Sequence, residues 1–441
     1  MPSTPLLYRL AARLGSGLAA LSPLGPKLSA GHQGRREAVR RLVEWAGRSR
    51  DRTRPLIWFH AASVGEGLQA ESVLLALRRL HPDAQYVYTH YSPSAEPLAR
   101  RLPVEVSDYL PYDVVPAVER LLAALDPTLL VFSKLDLWPE LATRAAARGA
   151  EVAIVAATVS PASGRLRWPV RSLLREGYRA VSIAAAVSDD DAARLARLGV
   201  APGRIEVLGD PRFDSVIDRI AGIVRDQPLL RFGRGAPTLV AGSTWPGDEA
   251  ALLAAFARLR GGHREARLIL VPHEPTASHL AAVEAMSRRH GLPAPVRLSA
   301  ATEPVPLLLV DRVGVLAALY GAGTMAYVGG GFGRAGLHSV LEPAAWGLPV
   351  AFGPRWRQSR DAGLLLEGDA AAALNRGGSQ GAAELYRIWS GWIEHEARRA
   401  AQGARAQALV ERGRGASRRS AELLAAAISS PLPRTSPIAG R

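Results

Sequence analysis

Short apolar runs alternate with amphipathic stretches over most of the chain. Each apolar run is long enough for one buried strand, and the stretches that follow have the apolar spacing of helices. This alternation is typical of α/β proteins with mostly parallel sheets. The predicted strands are Leu56–His60, Gln85–Thr89, Leu129–Phe132, Glu151–Ala156, Ala180–Val187, Ile205–Leu208, Thr238–Ala241, Leu268–Val271, Leu307–Val310, Thr324–Val328 and Leu348–Phe352.

The strands form two series, and the residues near 215–236 between them predict an interdomain connection. In open α/β sheets, ligands bind beyond the carboxyl ends of the strands. We therefore predict two Rossmann-like domains facing a central cleft, which is the GT-B glycosyltransferase architecture. The predicted segments are an N-terminal segment 1–30, an N-terminal domain 31–218, a C-terminal domain 219–429 that includes the last helices, and a disordered tail 430–441.

The N-terminal segment has leucines at helical spacing along one face. A helix of this kind suits the membrane interface, although the same pattern fits a helix packed on the protein's own surface. No run of about 18 apolar residues predicts a spanning helix. The leucines are Leu6, Leu7, Leu10, Leu14, Leu18 and Leu21.

The amino-acid composition limits the classes of binding partner that can be expected. The chain has 441 residues, no cysteine and a formal net charge of +15, carried almost wholly by arginine. The lack of cysteine excludes disulfides, thiolate metal sites and a cysteine nucleophile. A basic surface favours anionic partners, and no segment resembles a nucleic-acid-binding module. Phosphorylated ligands or a membrane surface are therefore expected, and nucleic acid is not.

The stretch Gly321–Pro354 contains a glycine-rich loop between a predicted strand and a helix predicted over 339–346. Such a loop would leave room for a ligand and present free N–H groups at a helix N-terminus, which predicts a phosphate site. Glu342, one turn inside the helix, could hydrogen-bond a ribose. The loop glycines are Gly329, Gly330, Gly331 and Gly333.

Two other interpretations of this loop stay open. The segment Gly331–Gly336 matches the dinucleotide fingerprint, but the next strand ends in Phe352-Gly353-Pro354 and lacks the acidic residue that a nicotinamide site needs. The loop could also serve only as a turn between strand and helix.

Glu66 is the first candidate for a catalytic group. It follows a predicted strand at the start of a helix predicted over 68–80, and the flanking Gly65 and Gly67 would leave space for an acceptor hydroxyl. The helix dipole favours an ionised carboxylate there, which suits a general base. A carboxylate that only caps the helix is the alternative.

Other polar residues follow predicted strands. Arg212 could balance negative charge on a leaving phosphate or a sugar carboxylate, His273 could bond a phosphate or nucleotide, and His338 could orient the glycine loop. Each could equally be structural. The acidic run Asp189–Asp191 follows a strand and predicts a helix cap, so no metal site is implied.

Seven motifs in sequence order resemble the 3-deoxy-D-manno-octulosonic acid (Kdo) transferases, membrane-associated GT-B enzymes of lipopolysaccharide synthesis. The resemblance runs from about residue 7 to 366. Each motif alone is weak, whereas the ordered set is specific. The motifs are Trp58–Glu66, Tyr109–Asp113, Leu137–Pro139, Gly209–Asp214, Ala241–Trp245, Val271–His273, and Gly329–Gly333 with His338 and Leu341–Pro343.

The resemblance implies transfer of Kdo from CMP-Kdo to a lipid A precursor, with inversion at the anomeric carbon and without metal or cofactor. It implies that Glu66 is the general base and that Arg212 is the basic group of the transition state. It also implies an acceptor-binding N-terminal domain, a CMP-sugar-binding C-terminal domain, and a location at the cytoplasmic face of the bacterial inner membrane. The candidate substrate and CMP contacts are Ser243, Thr244, Pro272, His273, Val313, Gly314, Gly330, Gly331, Gly333, His338, Ser339 and Glu342.

The chain departs from the family pattern at ligand contacts. Lys134 stands where many relatives have a glutamate, which leaves Asp136 as a candidate for that role, and Ser339 stands where asparagine is usual. Two alternatives therefore stay open. One is a GT-B transferase with another nucleotide-sugar donor, and the other is a membrane-bound relative that keeps the nucleotide site but has lost turnover.

Overall fold

The computed structural model describes residues 4–21, 26–224, 226–333 and 336–429, and the side chains of residues 16–28 lie outside that description. The chain divides into two compact units. The N-terminal unit comprises Met1–Ser215 with Gly415–Arg441, and the C-terminal unit comprises Val216–Arg414. The predicted disordered tail, 430–441, lies outside the described residues.

The N-terminal unit alternates strands and helices, as predicted. Its elements up to the unit boundary are α1 (Leu6–Leu21), α2 (Pro26–Ser49), β1 (Leu56–His60), α3 (Val64–Leu80), β2 (Gln85–His90), α4 (Glu96–Ala99), β3 (Val106–Tyr109), α5 (Val115–Leu125), β4 (Leu129–Ser133), α6 (Pro139–Ala147), β5 (Glu151–Ala157), α7 (Val170–Arg179), β6 (Ile183–Ala186), α8 (Asp189–Leu198), β7 (Ile205–Val207) and α9 (Pro211–Ala221), which crosses it.

The strands of this unit pair in parallel in the order β3-β2-β1-β4-β5-β6-β7. Side chains alternate between the two faces of the central strand β1. Trp58 packs into the core with Leu42 of α2 and Leu121 of α5. Phe59 packs into the opposite core with Val73 of α3. Helices thus cover both faces, as parallel sheets require.

The C-terminal unit repeats this architecture, with parallel strands in the order β10-β11-β9-β8-β12-β13-β14. Together the two sheets confirm the predicted α/β fold class of two Rossmann-like domains. The remaining elements are β8 (Thr238–Thr244), α10 (Pro246–Leu259), β9 (Arg267–Pro272), α11 (Ala277–Arg289), β10 (Val296–Arg297), β11 (Leu307–Leu309), α12 (Leu316–Tyr320), β12 (Met325–Val328), α13 (Leu341–Ala345), β13 (Val350–Phe352), α14 (Arg360–Glu367), β14 (Ala371–Ala373), α15 (Gly378–Glu394), α16 (Glu396–Arg412) and α17 (Ala416–Ser429).

The predicted positions differ from the structure in several places. The sequence patterns did not indicate the edge strand β3, because its residues are mixed polar and apolar and only partly buried. The predicted connection at 215–236 instead contains most of α9 and a short 3-10 helix at Pro228–Gly233.

The last helix, α17, belongs to the N-terminal unit and not to the C-terminal domain 219–429, where it was expected. It packs on α3 of the N-terminal unit, with Leu424 and Ile428 buried in that unit's core. Asp214 accepts hydrogen bonds from the backbone N–H groups of Gly415 and Ser417, at 2.6 and 2.7 Å. The N-terminal unit is therefore built from both ends of the chain.

Helix α1 is held to the N-terminal unit by polar contacts and presents leucines to solvent. The Tyr8 hydroxyl donates to Asp113 at 2.7 Å, and the Arg9 guanidinium donates to Glu140 at 3.1 Å. The side chains of Leu6, Leu7, Leu10 and Leu14 are 70%, 70%, 45% and 66% exposed. The predicted continuation of this stripe, Leu18 and Leu21, lies outside the described side chains. Within the described ranges, no helix combines the length and apolarity needed to cross a bilayer.

Candidate active site

Glu66 lies in the first turn of α3, at the carboxyl end of β1. The helix begins at Val64 and not at Leu68 as predicted, because Ser63 caps it. The Ser63 hydroxyl accepts from the backbone N–H of Glu66 at 3.4 Å and lies 3.1 Å from its carboxylate as a donor. Glu66 is half-buried. The positive end of the helix favours its ionised form.

The two glycines beside Glu66 have different roles. A Cβ at Gly65 would meet no neighbouring atom within 4 Å, so the position beside Glu66 is open, and its use by an acceptor hydroxyl stays a prediction. A Cβ at Gly67 would lie 2.5 Å from Leu98 Cδ2 and 2.9 Å from the Tyr88 hydroxyl. Gly67 therefore allows α3 to pack on β2 and α4, and the expectation that it leaves room for a substrate is wrong.

The loop after β4 carries Lys134 and Asp136. The Ser133 hydroxyl donates to the backbone carbonyl of Glu66 at 3.0 Å and so ties this loop to the start of α3. Lys134 is exposed and has a left-handed backbone, with φ of 62°. That conformation is costly for a side chain with a Cβ, and such positions concentrate at functional sites.

Asp136 is engaged by two donors that flank it. His60, fully buried at the end of β1, lies 2.9 Å from the carboxylate through Nε2, and the Trp138 indole N–H donates at 3.1 Å. Burial alone would raise the pKa of Asp136, but these hydrogen bonds, His60 and the charge of Arg165 lower it overall. Asp136 is thus an ionised anchor for His60 and Trp138.

Arg212 lies in the first turn of α9 and not at a strand end as predicted, because β7 already ends at Val207. Its guanidinium donates to the carboxylate of Asp210 through Nε at 2.9 Å and Nη2 at 2.6 Å. Asp210 is buried, while Arg212 is partly exposed. The buried carboxylate therefore orients the guanidinium.

The glycine loop of the C-terminal unit is closed by the protein's own backbone. A Cβ at Gly329 would lie 2.2 Å from the Ser243 carbonyl oxygen, and a Cβ at Gly331 would lie 2.7 Å from Gly353 Cα. The N–H groups of Gly329 and Gly330 donate to Gly242 and to Asp248. Backbone therefore fills the space on the Cβ side of Gly329 and Gly331, and the prediction of ligand room there is wrong. The prediction of free N–H groups is wrong for Gly329 and Gly330, because both N–H groups already donate within the protein.

Asp248 organises this loop and was not predicted from the sequence. It is fully buried and accepts hydrogen bonds from Trp245 N–H at 3.0 Å, Gly330 N–H at 2.9 Å and the Tyr327 hydroxyl at 2.8 Å. Burial raises its pKa, although the three hydrogen bonds oppose that shift. Its position in the first turn of α10, after Trp245-Pro246, is the sequence signal that could have identified it.

Three aromatic rings stack beside the glycine loop. His273 lies 4.9 Å from Trp245 and 4.4 Å from His338, measured between ring centroids. The Trp245 indole N–H donates to Nε2 of His338 at 3.1 Å. Burial, and then the neighbouring His273, lower the pKa of His338. A neutral His338 that accepts this bond is consistent with that direction. His273 itself is exposed, so one face of the stack borders solvent.

Glu342 and Ser339 do not lie as predicted. Helix α13 begins only at Leu341 and has five residues, so Ser339 precedes it and accepts from the N–H of Leu341 at 3.4 Å. Glu342 forms an ion pair with Arg219, with 2.5 Å between Oε1 and Nη1. A ribose would have to share or displace that arginine.

The remaining candidates follow strand ends of the C-terminal sheet. Ser243 has a left-handed backbone with φ of 52°, and the buried Thr244 hydroxyl donates to Glu249 at 2.9 Å. Pro272 ends β9. Val313 is 75% exposed, and Gly314 has φ of 85°.

The structure thus gathers the candidates into two clusters, one in each unit. Glu66 and Asp136 share the carboxyl edge of the N-terminal sheet, and the glycine loop and histidines share that of the C-terminal sheet. His60 was part of a quoted motif, but its pairing with Asp136 was not predicted. Among the described residues, no group of three or more histidine, aspartate or glutamate side chains could hold a metal ion. In the run Asp189–Asp191, Ser188 is the capping residue.

Comparisons with known proteins agree with this arrangement. A family model described as 3-deoxy-D-manno-octulosonic-acid transferase (kdotransferase) matches residues 36–215. A curated 3-deoxy-D-manno-octulosonic acid transferase of Bordetella pertussis is 29% identical over 392 residues, covering 83% of this chain and 86% of the relative. A protein of the same name from Chlamydophila psittaci is 28% identical over 356 residues, covering 79% and 80%.

Solved structures share the fold. A glycosyltransferase from Rickettsia africae superposes with a TM-score of 0.58 at 11% identity, covering 86% of this chain and 100% of that chain. UDP-GlcNAc 2-epimerase from Neisseria meningitidis gives a TM-score of 0.57 at 10% identity, covering 82% and 99%. At such low identity these similarities concern the fold alone.

Proposed function

Because the chain belongs to the 3-deoxy-D-manno-octulosonic acid (Kdo) transferase family, we propose that it transfers Kdo from CMP-Kdo to a lipid A precursor in lipopolysaccharide biosynthesis. The structural observation that carries this proposal is the position of Glu66. Its carboxylate is half-buried in the first turn of α3, with open space beside it at Gly65. The chain is similar to curated transferases over most of its length around that residue.

In the proposed reaction, Glu66 takes the proton of an acceptor hydroxyl as its oxygen attacks the anomeric carbon of Kdo. The bond from that carbon to the CMP phosphate oxygen breaks, and CMP leaves with the electron pair. An ionised carboxylate held at a helix N-terminus suits the role of the base. The residues need no metal for this step, since the guanidinium of Arg212 can balance the charge on the departing phosphate or the sugar carboxylate.

The C-terminal unit is the proposed holder of CMP. The exposed face of His273, stacked on Trp245 and His338, offers an aromatic platform next to the glycine loop. Gly333, Ser339 and Gly314 lie in loops where an incoming phosphate or ribose would meet backbone groups. Glu342 would take part once its pairing with Arg219 is shared with a ligand.

A membrane location follows from the same proposal. The exposed leucines of α1 would dip into the lipid interface and bring the acceptor-binding unit to a lipid-bearing substrate at the cytoplasmic face of the inner membrane. The net charge of +15 would add attraction to anionic headgroups.

A transfer assay tests the proposal directly. The protein is incubated with CMP-Kdo generated in situ and a tetraacylated lipid A precursor, and the product is read by mass spectrometry. We expect a mass gain of one or more Kdo units. CMP binding without any gain would favour another sugar donor or acceptor, and loss of both would overturn the assignment of the donor site.

A further inference from the structure

Arg35 is a buried cation that the proposed reaction does not use. It lies on α2 and is only 8% exposed. Its Nη1 donates to the backbone carbonyl of Tyr91 at 2.8 Å. No carboxylate forms an ion pair with it within the ranges that the structure describes. A buried charge without an ionic partner destabilises a fold, so its presence calls for a function.

The surroundings of Arg35 are built to hold it in one place. Two glycines let α2 approach the loop after β2 and the end of β3, because a Cβ at Gly31 would lie 2.8 Å from Pro93 Cγ and one at Gly34 would lie 2.6 Å from the Tyr109 ring. The guanidinium carbon of Arg35 then lies 4.2 Å from the ring centroid of Tyr91. A second ring, that of Tyr112, is 5.4 Å away. These cation–π contacts orient the guanidinium and offset part of its burial.

His32, one turn before Arg35, completes a set of unpaired nitrogens. Its Nδ1 lies 2.7 Å from the Tyr112 hydroxyl, while its Nε2 is buried and has no hydrogen-bond partner. The Nε of Arg35 is also buried and unpaired. Buried polar nitrogens without partners are rare in native proteins, and two on one helix face point to a group that supplies acceptor oxygens.

The cluster borders the candidate active site. The Tyr91 ring lies 5.2 Å from that of Trp138, whose indole N–H donates to Asp136, the partner of His60. Tyr91, Tyr112 and Trp138 are each half-buried, so the cluster reaches solvent on this side. The three residues follow the carboxyl ends of β2, β3 and β4. The cluster therefore lies at the carboxyl edge of the sheet, where parallel α/β proteins bind ligands.

We propose that Arg35 and His32 form an anion-binding subsite for an oxyanion carried by a sugar. Its role in holding the acceptor rests on the proposed function. The planar guanidinium and the imidazole N–H would bind the oxygens of a phosphate monoester. A sugar carboxylate offers the same oxygens, so the test must separate the two sources.

Direct binding decides the site independently of transfer. Glucosamine 1-phosphate and glucuronate are titrated calorimetrically into the full chain and into Arg35→Gln, His32→Gln and Arg36→Gln. Arg36 is the matched control, since it is the next residue of α2 and is exposed. We expect Arg35→Gln to weaken binding of the phosphate ester at least about tenfold, His32→Gln to weaken it severalfold, and Arg36→Gln to change it less than about twofold.

Each result bears on the proposal. Equal binding by Arg35→Gln and the unchanged protein would overturn it, and so would an equal loss in Arg36→Gln. A loss confined to glucuronate would assign the site to a carboxylate and overturn the phosphate assignment. If circular dichroism shows that Arg35→Gln does not fold, the calorimetric titration of His32→Gln tests the subsite instead.

Transfer kinetics then connect the subsite to the acceptor. We expect Arg35→Gln to raise KM for a phosphorylated acceptor about tenfold, with kcat and KM for CMP-Kdo changed less than about threefold, and to leave a dephosphorylated acceptor unaffected. An equal loss on both acceptors would show a structural role. If the unchanged protein transfers no Kdo, the proposed function fails while the phosphate titration still decides the subsite.

Discussion

At the scale of single residues, Glu66 carries the sharpest prediction. Glu66→Gln removes the proton acceptor but keeps the volume of the side chain and its contact with Ser63. We expect kcat for Kdo transfer to fall by about 10²–10⁴, the usual contribution of a general base. CMP affinity, measured by calorimetry, should change less than about twofold, because Glu66 lies in the N-terminal unit and the proposed CMP contacts lie in the other.

Glu71→Gln is the matched control, because it makes the same chemical change one and a half turns farther along α3. It should retain transfer within about threefold of the unchanged protein. If Glu66→Gln kept full transfer, Glu66 would be only a helix-capping carboxylate. If it lost CMP binding together with transfer, its role would be structural.

The pairing of Asp136 with His60 predicts a pH-dependent contribution to stability. The pKa of Asp136 is lowered in the folded protein, so its ionised form stabilises the fold above the ordinary value of 3.8, and this contribution is lost as pH falls through the folded pKa. Asp136→Asn leaves the buried His60 without its anionic partner. We expect a loss of about 1–3 kcal/mol in the free energy of unfolding at pH 7, measured with urea.

The same measurement over a series of acidic pH values tests the cause. Because the contribution is lost only as pH falls below 3.8 and through the lowered pKa of the folded protein, the difference between the two proteins should shrink progressively over that range. A difference that stays constant throughout the series would mean that the amide is simply a poor fit, and the electrostatic account would fail.

At the scale of elements, the glycine loop after β12 is held by close backbone contact. A Cβ at Gly329 would lie 2.2 Å from the Ser243 carbonyl oxygen and 2.7 Å from Thr244 Cα, and neither atom can move without shifting β8. Gly329→Ala should therefore lower the free energy of unfolding by about 1–3 kcal/mol or more. It should also weaken CMP binding, because Trp245 follows the displaced strand end.

Gly262→Ala serves as the control, since a Cβ there meets no atom within 4 Å and the residue has no left-handed backbone. Its effect on unfolding should stay within about 0.5 kcal/mol. Equal stability of the two variants would show that the loop has room to adjust and is not fixed by this contact.

The elements also show how far sequence patterns reach. Apolar runs predicted the buried strands β1 and β4 almost to the residue, because one apolar strand forms one run. They failed for edge strand β3, where polar residues interrupt the run. The role of the glycines was predicted only in part. A tight turn follows from the glycine-rich composition. The backbone that fills the space at Gly329 belongs to β8, which is far away in sequence, so the local pattern could not predict that contact.

In the candidate site too, some features could be predicted from the sequence and others could not. Glu66 could be predicted because its position after a strand is local, whereas the ion pair of Glu342 with Arg219 and the engagement of Asp248 join residues about 80 or more positions apart. Pairings of that kind leave no periodic trace in the chain.

At the scale of the whole molecule, the N-terminal unit needs both ends of the chain. Helix α17 fills the core beside α3 with Leu424, which is fully buried. The sequence predicted helices at this end of the chain but not what the last one packs on, because amphipathicity identifies a buried face without identifying what covers it. The expected boundary at 429 therefore assigned α17 to the domain that precedes it in sequence.

The leucine stripe of α1 carries the last prediction, which concerns how the molecule meets a membrane. Leu7 and Leu10 are exposed, while Tyr8 and Arg9 hold the helix to the N-terminal unit through Asp113 and Glu140. Replacing both leucines with serine should therefore leave the fold intact. Full burial of one leucine is worth about 1.5–3 kcal/mol, so losing two should lower the partition coefficient onto anionic phospholipid vesicles at least about tenfold.

The control is Leu80→Ser, a leucine 48% exposed at the end of α3, away from this stripe. Cosedimentation with vesicles should show unchanged binding for Leu80→Ser and a loss for Leu7→Ser with Leu10→Ser, both with unchanged melting temperatures. Because insertion is apolar, the loss should persist at a salt concentration that screens the arginines. If the double variant binds as well as the control at that salt concentration, α1 is not what holds the protein on the lipid, and its leucines belong to a protein contact instead.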